Sequence, residues 1–150
     1  MDSIILAYIA GFLDGDGSIF FQIVPRPDYK QKFQIRTSIA FYQDTTNAKI
    51  LEWFKEQIGS GYIRHRKTGI SDYTIIESKE VKRLLKLLQP YVKLKKKHVE
   101  LGLDILNKLE NKKSNKDFLE ICKLVDKFKD INYSKKRKIT YETVSKSLPL

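Results

Sequence analysis

The chain has little of what several common protein classes require. One cysteine, Cys122, stands among 150 residues, which excludes an intrachain disulfide and any zinc site built on several thiolates. A lone thiol points to a reducing, intracellular setting. Prolines are few, at 25, 27, 90 and 149, and they punctuate the chain without marking a linker between domains. No apolar run approaches the roughly 20 residues of a membrane-spanning helix, so no membrane partner is expected. Met1-Asp2-Ser3 opens without the basic stretch of a secretory signal. Acidic residues are the scarce sign of charge: 18 Asp+Glu against 29 Lys+Arg give a formal net charge of +11. Such a surplus on one small domain predicts a polyanionic partner, with nucleic acid ahead of a membrane surface. The same composition, rich in Lys, Ile, Asn and Tyr, also fits a basic, non-binding protein from an AT-rich genome.

What the chain does have is enough apolar material to fold. A hydrophobic fraction of 41%, with 8 Phe, 8 Tyr and one Trp, argues against disorder, and residues 1–150 read as a single domain. Asp2 or Ser3 can cap a first helix carrying Ile5, Ile9, Phe12 and Leu13, which Asp14-Gly15-Asp16-Gly17 should stop. Strict alternation follows in Ser18–Val24 and again from Lys32 to Phe41. There Phe33, Ile35, Thr37, Ile39 and Phe41 share one face, and Gln34, Arg36, Ser38 and Ala40 the other. Two shorter strands are expected at Gly61–Arg66 and Ser71–Glu77. Helices are expected with Thr45 or Thr46, Ser78 and Asn115 as their caps, with a long one after Lys93 and a short one near the end. The class is α+β, ordered α-β-β-α-β-β-α with additional C-terminal helices and one antiparallel or mixed four-stranded sheet.

The first helix carries the oddest chemistry. Ala7, Gly11 and Gly15 recur every four residues and make a stripe with almost no side-chain bulk, along which another backbone can approach. Each glycine costs a helix about 1 kcal/mol relative to alanine, so the stripe needs a packing reason. Asp14 and Asp16 lie at the helix C-terminus, where the macrodipole disfavours carboxylates. Two readings stay open here, a simple turn and a cation site. Other motifs fail. An EF-hand begun at Asp14 would put Ile19 and Pro25 where glycine and glutamate belong. His65 and His98 lack companions for zinc, and no phosphate-binding Gly-x-x-x-x-Gly-Lys loop occurs. Pro27-Asp28 with Glu77-Ser78-Lys79 matches a PD-(D/E)xK nuclease pattern only by chance, across about fifty residues and an intervening helix.

Ile9-Ala10-Gly11-Phe12-Leu13-Asp14-Gly15-Asp16-Gly17 resembles the signature of the LAGLIDADG homing endonucleases. Gln43, Ile58-Gly59-Ser60-Gly61-Tyr62, Ser71-Asp72-Tyr73 and Leu88-Gln89-Pro90-Tyr91-Val92-Lys93-Leu94-Lys95 are similar to the single-motif, organellar-intron branch of that family. The resemblance implies the homing-endonuclease fold and a homodimer packed through Ala7, Gly11 and Gly15. It also implies a site-specific double-strand break at a long pseudo-palindromic DNA target, promoting intron mobility. It implies Mg²⁺ held by Asp16 and the Gly15 carbonyl, activating water and stabilising the leaving 3′ oxygen. Gln43 would position the water, and Lys95 would offset charge near the scissile phosphate. Asn47 departs from the pattern, since relatives usually carry Arg or Lys there; Lys49, two positions on, is the available cation.

Recognition by resemblance falls to the polar strand face. Gln22, Arg26, Tyr29, Gln34, Arg36, Ser38, Arg64, Arg66, Asp72 and Thr74 match positions that face the major groove. Arg can chelate guanine, Gln can read adenine and Asp can accept from cytosine. Lys135, Arg137 and Lys138 are expected as phosphate contacts or as a short basic tail. The family also contains RNA maturases, so an RNA partner stays an alternative, and a chloroplast or mitochondrion is the implied location.

Overall fold

The computed structural model describes residues 1–132 and 137–149. Helix α1 (Ser3–Asp16) starts where the Asp2 carboxylate accepts the Ile5 N–H at 2.9 Å. It buries Leu6, Ile9, Ala10 and Leu13. The helix does not stop at Asp14 as the glycines suggest. It runs to Asp16 and passes in extended geometry, with no turn, into β1 (Gly17–Pro25). Gly17 is required sterically: a Cβ there would lie 2.6 Å from Leu13 Cδ1 and 2.9 Å from the Ala40 carbonyl oxygen.

Strand β2 (Phe33–Asp44) pairs antiparallel with β1 from Gly17↔Phe41 to Pro25↔Phe33. On its other side β2 pairs with β4 (Ile70–Ile75), and β4 with β3 (Tyr62–His65). The order is β1-β2-β4-β3 and every neighbour is antiparallel, which removes the mixed alternative. The alternation behaves as expected: Ile19, Phe21, Ile23, Phe33, Ile35, Ile39 and Phe41 are buried together. Thr37 shares that face because its hydroxyl donates to the Ile76 carbonyl at 3.2 Å.

Six more helices complete the described chain: α2 (Lys49–Ile58), α3 (Ser78–Leu88), α4 (Lys96–Asn111), α5 (Asn115–Asp126), α6 (Phe128–Ile131) and α7 (Tyr141–Ser147). Helices α1 to α5 all contact the sheet or one another, and their buried side chains join its apolar face in one core. The starts of several helices differ from expectation. Asp44, not Thr45 or Thr46, caps the 3₁₀ turn Thr45–Asn47 that precedes α2, accepting the Thr46 N–H at 2.9 Å. Ser114, not Asn115, caps α5 through the Asp117 N–H. Ser78 is the first residue of α3 and not its cap. For the 3₁₀ turn and α5 a neighbouring residue of similar capping chemistry took the role, so composition alone could not choose between them; α3 starts after Glu77 with no side-chain cap.

Candidate active site and nucleic-acid interface

Asp14 and Asp16 do not act as a pair. Two residues along a helix is about 200° around its axis, so their side chains leave in nearly opposite directions. Asp14 turns toward the start of α4 and accepts backbone N–H groups from Lys93 at 2.7 Å, Leu94 at 3.1 Å and Lys95 at 3.0 Å. It therefore gathers, from 79 residues away, the turn that leads into α4, a helix with no side-chain cap of its own. Lys95 answers by donating its ammonium to the Asp14 carbonyl at 3.1 Å. Burial lowers the Lys95 pKa, and the Asp14 charge only partly opposes that. The spacing of the two aspartates already excluded a shared ligand set, and that signal was in the sequence.

Asp16 is exposed, and so is Gly15 before it. Gly17 pairs with Phe41, so the end of β2 that carries Gln43 runs beside the end of α1. Asp16, Gln43 and Lys95 thus belong to one end of the sheet. The Gln43 side-chain oxygen accepts the Asp44 N–H at 2.8 Å, which fixes its amide at the strand end. Asn47 and Lys49 are both exposed just beyond, the first closing the 3₁₀ turn and the second opening α2.

Donor chemistry at this end suits a hard divalent cation. The Leu13 carbonyl is taken by the Gly17 N–H and the Asp14 carbonyl by Lys95, which leaves Gly15 next in line at the negative end of the helix dipole. Among the described residues no group of three His, Cys, Asp or Glu side chains gathers anywhere. At this end of α1 the described residues therefore offer the exposed Asp16 carboxylate and the Gly15 carbonyl, part of an oxygen ligand set.

The stripe on α1 is open. Ala7, Gly11 and Gly15 are exposed, and a Cβ placed on either glycine would meet nothing within 4 Å. Ile4, 79% exposed, and Tyr8, 52% exposed, flank them. A helix that buries one apolar side and leaves a second apolar, low-bulk side bare has room for another backbone.

The sheet's outer side carries the expected recognition residues in differing states. Arg36 is exposed, Gln22 and Gln34 are half-buried, and the Ser38 hydroxyl donates to the Phe20 carbonyl at 3.3 Å. At the hairpin tip Arg26 lies 4.5 Å over the Tyr29 ring, and it donates to Gln34 at 2.8 Å and to Asp28 at 3.2 Å. Asp72 is fully buried, whereas Arg64 and Arg66 keep 53% and 47% of their side chains exposed. Its carboxylate accepts from Thr74 at 2.7 Å, Arg66 at 2.8 Å and Arg64 at 3.4 Å. Burial pushes the Asp72 pKa up, but the hydrogen bonds from Thr74 and Arg66 and the two positive charges outweigh it, so it lies below the usual range. Asp72 and Thr74 thus organise two arginine forks from beneath, a role the sequence reading missed. The i, i+2 alternation of Arg64 with Arg66 and of Asp72 with Thr74 could have shown it, since both pairs fall on one face.

Arg137 also differs from expectation. It turns inward, donating to the Phe21 carbonyl at 2.6 Å on edge strand β1, with its guanidinium 4.9 Å over the Phe20 ring. Its charge holds the chain end against the sheet, while Lys138 is exposed beside it. Lys135 lies outside the described residues.

A family model described as LAGLIDADG endonuclease matches residues 9–105, from the α1 signature to the middle of α4. The chain belongs to the LAGLIDADG endonuclease family. DNA endonuclease I-CreI of Chlamydomonas reinhardtii is 44% identical over 140 residues, covering 93% of this chain and 85% of that one. DNA endonuclease I-CvuI of Chlorella vulgaris is 37% identical over 147 residues, covering 98% and 91%. A crystal structure of I-CvuI, bound to the I-CreI target with Mg present and the DNA uncleaved, superposes with a TM-score of 0.90 at 36% identity, over 95% of this chain and 91% of that one. A second I-CvuI structure holds its own target in the presence of Ca. The archaeal intron-encoded I-Vdi141I, complexed with DNA, has a TM-score of 0.83 at 22% identity, over 96% of this chain and 94% of that one, and bears out the LAGLIDADG fold. No helix among the described residues is long and apolar enough to cross a membrane.

Proposed function

We propose that two copies of this chain form a site-specific homing endonuclease that makes a double-strand break in a long pseudo-palindromic DNA target, promoting mobility of an intron. The observation that carries this reading is the division of labour at the end of α1. Asp14 is consumed in holding Lys95 and α4, whereas Asp16 and the Gly15 carbonyl are left at the edge of an open stripe. A two-fold axis along Ala7, Gly11 and Gly15 would bring two such half-sites together. A divalent cation, Mg²⁺ in our reading, would be held by Asp16 and the Gly15 carbonyl and would supply Lewis-acid activation of water and charge neutralisation at the leaving 3′ oxygen.

The chain's own residues do the rest. Gln43, fixed through Asp44, orients the attacking water by hydrogen bonding. Lys95, clamped to Asp14, presents a partly desolvated cation to the phosphate, where its charge counts for more than in bulk water. Arg64 and Arg66 present forks from Asp72 to guanine edges, joined by Gln22, Gln34, Arg36 and Ser38 in the major groove and by Arg26 and Tyr29 at the hairpin tip. Lys138, and Lys135 by its sequence, serve phosphates. Asn47 supplies no cation, and Lys49 is our choice for the second basic role. An organelle, chloroplast or mitochondrion, is the setting this reading implies.

Selection of cleaved sites from a randomised duplex library with Mg²⁺ tests the proposal. One pseudo-palindromic site, cut by a dimer, supports it. Absence of cleavage together with tight intron RNA binding overturns it in favour of a maturase.

A further inference from the structure

A hydrogen-bond chain runs from the residue between the two arginines proposed to read bases to the turn that follows Gln43. His65 sits between Arg64 and Arg66 on β3, and alternation sends its side chain to the other face from theirs. In the sheet register His65 lies opposite Ser71, and Ser71 lies opposite Gln43. The three residues therefore form one row across three strands, from the recognition strand to the strand end at the active site.

Ser71 is completely buried, and its hydroxyl has two partners: His65 Nδ1 at 2.7 Å and Thr45 Oγ1 at 2.9 Å. Thr45 opens the 3₁₀ turn directly after Gln43-Asp44, and its N–H donates to the Gly69 carbonyl at 2.8 Å, in the loop between β3 and β4. The turn bearing Asn47 is thus pinned at two points to the hairpin that bears Arg64 and Arg66. A serine hydroxyl has one proton, so the two bonds are correlated. If Nδ1 accepts from Ser71, Ser71 accepts from Thr45; if Nδ1–H donates, Ser71 donates to Thr45. Removing either end leaves a buried oxygen with one partner, and the other end shifts to compensate.

We propose that His65 is a positioning residue: through Ser71 and Thr45 it ties the seat of β3 on the target to the placement of the turn beside Gln43. The inference rests on the endonuclease reading above. Cleavage of the selected duplex by saturating protein in a single turnover with Mg²⁺, and its Kd in Ca²⁺, provide the test. His65→Leu should slow cleavage about 10-fold while Kd changes less than about 2-fold, the scale expected when an outer hydrogen-bond partner of a site is lost. His65→Asn places an amide near the position of Nδ1 and should bring the rate back to within about 3-fold of wild type. Thr45→Val cuts the chain from its other, exposed end and should slow cleavage similarly. Combining it with His65→Leu should add little, because both act through Ser71. Cleavage at the wild-type rate by His65→Leu and Thr45→Val would overturn the inference, as would equal losses of rate and binding, or no recovery with His65→Asn. Failure of the wild-type protein to cut any duplex would overturn the endonuclease reading instead, so the two failures are distinguishable.

Discussion

The two sides of α1 make opposite demands. The side turned to the protein's own core is saturated: Leu6, Ile9, Ala10 and Leu13 are buried, Asp14 has three N–H donors, and Gly17 leaves no room for a methyl group. The other side is open along its small residues, with only the ring of Tyr8 set edge-on against Trp53. Ile4 and Tyr8 are exposed, Gly11 and Gly15 face open space, and Asp16 has no metal-ligating cluster around it among the described residues. One helix thus carries both a side closed by the fold and a side left open, which the proposed dimer would use. Glycine has a different purpose on each side. At Gly17 it admits this chain's own backbone, and at Gly11 and Gly15 it leaves the helix surface open, where the proposed dimer would place a second helix.

Two substitutions on the open side carry the largest expected effects. Asp16→Asn should reduce cleavage by on the order of 10²–10³-fold or more, as loss of a group that acts on developing charge does. DNA binding in Ca²⁺ should survive, since the recognition face is untouched. Retained cleavage in Mg²⁺, followed on a labelled duplex, would remove Asp16 from the site. Gly11→Leu should abolish dimerisation and cleavage together, yet leave a folded monomer, because no atom lies within 4 Å of the added Cβ. Leucine is a better helix former than glycine by up to about 0.8 kcal/mol, so the monomer's melting temperature should hold or rise. A dimer of normal mass by sedimentation would show that the stripe is not the interface.

The closed side should answer with stability instead of assembly. Gly17→Ala forces a Cβ to within 2.6 Å of Leu13 Cδ1 and 2.9 Å of the Ala40 oxygen. Overpacking of that kind costs about 1–3 kcal/mol, readable as a lower urea midpoint with an unchanged slope. Asp14→Ala removes the acceptor for three N–H groups at the start of α4, a loss comparable to a deleted cap and worth about 1–2 kcal/mol. It should also slow cleavage, because Lys95 loses the anchor that orients it. Equal stability of wild type and Asp14→Ala would mean that water replaces the carboxylate, and that the clamp is incidental.

The sequence was legible where the signal is local. Alternation from Phe33 to Phe41 placed the apolar face of β2, and the four-residue spacing of Ala7, Gly11 and Gly15 marked the open stripe. It was opaque where a partner comes from far along the chain. Nothing near Asp14 says that its acceptors will meet Lys93, Leu94 and Lys95, and nothing near Arg137 says that it will cap the edge of β1. Gly15 and Gly17 look alike in Asp-Gly-Asp-Gly. Only the packing of Leu13 and Ala40 separates the glycine that faces inward from the one that faces out. The Asp14 and Asp16 spacing was readable in principle, since a helix cannot aim both at one ion.

The smallest effect concerns Asp72, where the proposed recognition face repeats the same division in miniature: a saturated acid underneath and two half-exposed arginines above. Its pKa is lower in the folded protein than the roughly 3.9 of an unfolded chain. The resulting stabilisation is fully present above about pH 4 and is lost only as pH falls through the folded value. Wild type and Asp72→Asn should therefore differ in stability at neutral pH and converge in acid. At neutral pH the asparagine variant keeps both arginines but holds them less firmly. Discrimination at one symmetric pair of base positions should fall by about 1 kcal/mol, roughly fivefold, with little change in overall affinity. Competition binding against a panel of single-base variants reads this directly. Uniform weakening across the panel would place Arg64 and Arg66 on phosphates, where position matters and base identity does not.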